Sequence, residues 1–104
     1  MNGTFEIKSQ TSNSQYEYVN TDIIVQGSFQ KNITTNELIG MNGSCYRKGQ
    51  SGELGDYIGN FNGYVRNNEI VYSISEMSRR DSNKVWDAID EIEPYITGED
   101  NEQE

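Results

Sequence analysis

Apolar and polar positions alternate along most of this chain, and the alternation breaks where glycine, asparagine and serine collect. "GTFEIK" (residues 3–8) sets Phe5 and Ile7 against Thr4, Glu6 and Lys8, the two-residue period of a strand with one buried face. The polar run "SQTSNSQ" (9–15) reads as a turn and "YEYV" (16–19) as a short strand. "TDIIVQGSF" (21–29) then places Ile23, Val25 and Phe29 on one face with Gly27 between them, and "KNITTN" ends it. In "ELIGMNGSCYRK" (37–48) the alternation puts Ile39, Met41 and Cys45 on one face with Gly43, and Leu38, Asn42, Ser44 and Tyr46 on the other. "GQSGELGD" (49–56) reads as a glycine-rich connection.

The stretch "IGNFNGYVRNNEIVYSIS" (58–75) can be paired on itself. With Asn67 and Asn68 as a two-residue turn, Arg66 faces Glu69, Tyr64 faces Val71, Asn62 faces Ser73 and Asn60 faces Ser75. On the opposite side Val65 meets Ile70, Gly63 meets Tyr72 and Phe61 meets Ile74. One side is apolar, with a ring covering a glycine, and the other is polar with an opposite-charge pair beside the turn. Asparagine tolerates the positive φ that such a turn requires. A slip of one residue would mix the two sets. "IGMNGSCYR" (39–47) also shares its Ile, its Gly and its closing Arg with "IGNFNGYVR" (58–66), as two similar strands of an up-and-down sheet would.

After residue 80 the period changes. "DSNKVWDAIDEIEPYI" (81–96) has Val85, Ala88, Ile89 and Ile92 at helical spacing with Trp86 beside them, and Asp87, Asp90 and Glu91 on the opposite arc. Asp81 or Ser82 can cap this helix. Pro94 predicts an end or a kink at Glu93, with Tyr95 and Ile96 docking as an extended tail. The predicted fold class is therefore α+β: an antiparallel meander of about five strands, curled or closed into a small, partly open barrel, with one face covered by the C-terminal amphipathic helix through Val85, Trp86, Ile89 and Ile92. Residues 1–97 form one domain on this reading, and 98–104 an acidic, flexible tail.

Composition narrows the chemistry. A chain of 104 residues with no histidine and one cysteine lacks the commonest general base, the commonest zinc ligand and any internal disulfide. Cys45 falls on the apolar phase of its strand and reads as a small core residue. The glycines between 49 and 63 run into a strand, not a helix, and no Gly-Lys-Ser/Thr follows them, so a phosphate loop is not expected. No apolar run is long enough for a signal peptide or a membrane span, and the expectation is a cytoplasmic protein with no cofactor and no metal.

Charge is distributed unevenly. The net charge is −9; residues 1–80 hold eight acidic side chains against seven basic ones, and residues 81–104 nine against one. Such an end repels nucleic acid and anionic lipid and suits a basic partner. The expected function is a non-catalytic protein-binding module whose acidic helix and tail meet a basic surface through Asp87, Asp90, Glu91 and Glu93, with Arg79 and Arg80 as the cationic part of the contact. A specific form is an inhibitor that imitates the charge of nucleic acid, as small acidic proteins of phages and mobile elements do. The alternative is a small-molecule carrier with a tyrosine-lined pocket in the curled sheet. Homo-oligomers through a sheet edge are open to either.

Overall fold

The computed structural model describes residues 3–9, 13–32, 34–35, 37–75 and 77–97, so the expected tail at 98–104 lies outside the described residues. Six strands follow one another, β1 (Thr4–Ser9), β2 (Asn13–Val19), β3 (Ile23–Lys31), β4 (Leu38–Lys48), β5 (Leu54–Arg66) and β6 (Glu69–Ser75), and then one helix, α1 (Arg79–Thr97). Each strand pairs antiparallel with its chain neighbour in the order β1-β2-β3-β4-β5-β6. This is the predicted α+β meander with six strands rather than about five: the short stretch at 16–19 is a full strand, which reaches back through the polar residues to Asn13. The sheet stays open: β1 and β6 are its two edges, and no barrel is closed. Among the described residues no helix is long and apolar enough to cross a membrane.

The β5–β6 hairpin has the predicted register at all seven pairs, from Arg66 opposite Glu69 to Asn60 opposite Ser75. Asn67 and Asn68 adopt φ of 55° and 66°, the left-handed pair that matches a two-residue turn to the twist of its strands. Asparagine also shapes two other turns. The Asn20 side-chain oxygen accepts from the backbone N–H groups of Asp22 and Ile23, and that of Asn32 from Thr34 and Thr35.

What lets this sheet curl around the helix is a set of rings lying over glycines. Register sets Tyr16, Gly27, Gly43, Phe61 and Ile74 side by side across β2 to β6 on the inner face. A Cβ on Gly27 would overlap the Asn42 carbonyl oxygen, and one on Gly43 would run into the Phe61 ring. The missing side chains let Tyr16 reach across two strands, where its hydroxyl donates to the Asn42 carbonyl at 2.7 Å. The Tyr72 ring stands over Gly63 in the same way, as the paired register predicts.

The phase of β4 departs from strict alternation at its start. Gln30 pairs with Gly40, but Lys31 pairs with Leu38, so Ile39 is the extra residue of a bulge. Ile39 is therefore 54% exposed, contrary to expectation, and Leu38 packs against the core in its place. Met41 and Cys45, beyond the bulge, are buried as predicted.

The helix begins earlier and ends later than the sequence suggests. Ser78 is the cap: its hydroxyl accepts from the Asp81 N–H at 3.2 Å while its carbonyl takes the Ser82 N–H. Asp81 is thus inside the first turn, where its carboxylate meets Arg47 of β4 at 3.1 Å. At the other end Pro94 is carried within the helix, which runs on to Thr97. Proline forfeits a bond to the Asp90 carbonyl, which lies on the exposed arc. Continuing helical geometry puts Ile96 one turn beyond Ile92 on the same stripe, and both are fully buried. Tyr95 stacks on Phe5 of β1 with ring centroids 4.9 Å apart. Val85, Ala88 and Ile89 complete the stripe against Tyr16, Val25, Met41, Cys45 and Phe61 of the sheet. Trp86, expected within this seal, instead lies at its margin and is 41% exposed, because it falls one residue off the stripe of Val85, Ile89 and Ile92; its ring packs T-shaped with that of Tyr72.

Three substitutions check this account by urea denaturation. Gly27→Ala has backbone in its way and is expected to cost about 3 kcal/mol, the upper range for overpacking. Asn67→Ala forces an ordinary residue into left-handed backbone and is expected to cost about 1 kcal/mol, whereas Asn68→Gly leaves the midpoint unchanged or raised.

Candidate protein-binding face

The helix presents to solvent the residues that its apolar stripe leaves over. Asp87 and Asp90 are exposed, and Glu91 and Glu93 are half-buried along the flanks of the stripe. The two glutamates are held by tyrosines of the sheet. The Tyr18 hydroxyl donates to Glu91 Oε1 at 2.8 Å, and the Tyr72 hydroxyl to Glu93 Oε1 at 2.9 Å. These bonds pin carboxylates whose side chains would otherwise sample many rotamers, so the acidic arc is oriented before anything meets it.

Arg79 and Arg80 are exposed but occupy the opposite end of the helix, so the structure does not join them to the acidic group. Asp81, the acid nearest them in the sequence, is 6% exposed and is taken by Arg47 through Oδ2, while its Oδ1 is buried without a hydrogen-bond partner. That ion pair joins residues 34 positions apart, and nothing local signals it.

The fold adds acids that helical spacing could not reveal. An open depression of about 620 Å³ lies between the last turn of α1, the start of β4 and the β5–β6 turn. Glu37, Glu69 and Glu93 line it together with Leu38, Val65 and Ile70. The acidic surface thus continues from the helix onto the hairpin end, with an apolar floor. The inner face of the sheet, where an enclosed carrier pocket would lie, is filled by the helix side chains. Among the described residues no group of three or more Cys, Asp or Glu side chains is placed to hold a metal ion. Cys45 is fully buried, and desolvation pushes its thiol up to about 12, the reverse of an activated nucleophile.

Burial, and then the bond to Glu91, pushes the Tyr18 phenol from 10.0 up to about 12. Burial followed by the Glu93 bond raises Tyr72 as well. A folded-state pKa above the unfolded one means that the native state keeps its proton longer. This contribution to stability is complete below the unfolded value and is lost as pH rises through the folded value. Unfolding free energy is therefore expected to fall as pH rises above about 10, where the buried Tyr16 and Tyr72 contribute as well, with the share of Tyr18 lost by about pH 12. Tyr18→Phe should flatten that slope in pH-dependent denaturation, and an equally steep slope would refute the assignment.

Comparison with known proteins gives no match to this chain, whether among family models, curated sequences or solved structures.

Proposed function

We propose that this chain is a non-catalytic protein-binding module that sets the acidic face of its C-terminal helix against a basic surface of a partner protein. The observation that carries this reading is the order of charges along α1. A helix is stabilised by anions at its N-terminus and cations at its C-terminus. Here Arg79 and Arg80 open the helix, the one acid of the first turn, Asp81, is neutralised by Arg47, and the last turn contains no basic residue. Asp87, Asp90, Glu91 and Glu93 crowd it from the middle toward its C-terminus, at spacings where like charges repel. The burial of Val85, Ala88, Ile89, Ile92 and Ile96 holds the helix in place against this arrangement.

A partner with lysine or arginine opposite the C-terminal half relieves the repulsion there, and a carboxylate opposite Arg79 and Arg80 would do the same at the other end. Complementarity of this kind sets orientation and speeds encounter. The tyrosine-held glutamates and the acidic depression beside them extend the surface such a partner would cover. The sharper form of the proposal is an inhibitor that enters the nucleic-acid groove of its partner. Carboxylates in a row on a rigid helix would replace phosphates there.

The test is capture of the partner from the native host, followed by titration of the purified pair at low and high salt with DNA as competitor. Asp87→Asn with Asp90→Asn is expected to weaken binding about tenfold at low salt, high salt to weaken the parent complex, and DNA to compete. Affinity indifferent to both salt and the double substitution would remove the acidic helix as the contact. Binding that survives saturating DNA would remove the mimicry form alone.

A further inference from the structure

The outer face of the sheet, turned away from α1, plays no part in the reading above. Register aligns Gln15, Ser28, Asn42, Asn62 and Ser73 in one row across β2 to β6. Glu17, Gln26, Ser44, Asn60 and Ser75 form the next row. All of these side chains are amides or hydroxyls apart from the Glu17 carboxylate. A face that is merely solvated draws on threonine and charged residues, and asparagine is among the residues that strands disfavour. Asn42, Asn60 and Asn62 therefore do not serve strand formation.

These side chains are already ordered among themselves. Asn42 Nδ2 donates to Ser28 Oγ at 3.1 Å, Gln26 Nε2 to Glu17 Oε2 at 3.1 Å, and Asn60 Nδ2 to the Tyr57 hydroxyl at 2.7 Å. Each amide has two N–H donors and a carbonyl with two lone pairs, so each keeps hydrogen-bonding capacity beyond these contacts. Two rings flank the rows on the same face: Tyr57, 49% exposed, and Tyr64, 46% exposed. Between β2 and β3 a shallow depression of about 420 Å³ is lined by Gln15, Glu17, Gln26 and Ser28.

We propose that this outer face binds a neutral oligosaccharide chain. A sugar hydroxyl both donates and accepts, which is the pattern that amides and hydroxyls answer. The apolar C–H face of a pyranose ring packs on an exposed aromatic ring, and Tyr57 offers such a platform at one margin of the rows, with Tyr64, one face of its ring under Arg66, at the other. The Glu17 carboxylate is a strong acceptor for a pair of hydroxyls. Charge selects among polymers: in a chain of net charge −9, the two rows hold no cation, the guanidinium of Arg66 lying beyond them over the Tyr64 ring, and they are poor in the carboxylates that draw a cation. An uncharged ligand matches it. The proposal is independent of the acidic helix, and the two differ in their response to salt.

The experiment is NMR titration of the isotope-labelled chain with cellohexaose, xylohexaose, mannohexaose, maltohexaose and chitohexaose, each at low and high salt. At least one hexasaccharide is expected to shift the side-chain amides of Gln26, Asn60 and Asn62, with an affinity that salt leaves unchanged. Tyr57→Ala and Gln26→Ala replace exposed side chains, so the fold should survive, and each is expected to weaken binding about tenfold. The proposal fails if no hexasaccharide shifts those amides, if shifts map to α1, or if salt abolishes them. It also fails if the same amides broaden with protein concentration and Asn62→Arg cures the broadening, since the occupant would then be a second copy of this chain.

Discussion

The fold depends on rings standing where neighbouring strands have no side chain. Tyr16, Phe61 and Tyr72 spread over Gly27, Gly43 and Gly63 on the inner face, and the backbone approaches closely enough for one tyrosine to bond across two strands. With bulkier residues at those glycines the inner face would have to flatten or spread, and the groove that receives Ile89, Ile92 and Ile96 would lose its shape. A chain with only 33% hydrophobic residues thereby builds a dry interior, because each large ring covers a position with nothing of its own to bury.

Once that groove exists, the helix can carry an electrostatic pattern it would not tolerate alone. Burial of five aliphatic side chains outweighs the misplaced charges, each of which costs only about 0.3–1 kcal/mol at an exposed site. Tyr18 and Tyr72 then spend their hydroxyls on Glu91 and Glu93, so the elements that form the core also orient the surface. Core and candidate contact are built from the same tyrosines, one end of each apolar and the other polar.

Much of this was legible in the order of residues, wherever the deciding contacts are local. The β5–β6 register could be read pair by pair because a two-asparagine turn fixes it and because a slip would mix polar with apolar. Asp87 and Asp90 followed from helical spacing. Legibility fails where a distant contact overrides a local rule. The bulge at Ile39 shifts the phase of β4 only through its pairing with β3. Pro94 should end a helix in isolation, but burial of Ile96 beneath the sheet keeps the turn going. The pairing of Asp81 with Arg47, the meeting of Glu37 and Glu69 with Glu93, and the two rows of the outer face all require strands far apart in sequence to lie side by side.

The nearest-neighbour order of the strands has a kinetic side. Every hairpin can close over a short loop, so little chain entropy opposes each step, and such topologies assemble quickly for their strand content. The helix follows the strands in the chain and covers the face they gather. A sheet paired without α1 would hold Tyr16, Val25 and Phe61 open to water, the kind of surface on which chains stick to one another. In the folded chain α1 is thus a shield against self-association as well as a part of the core.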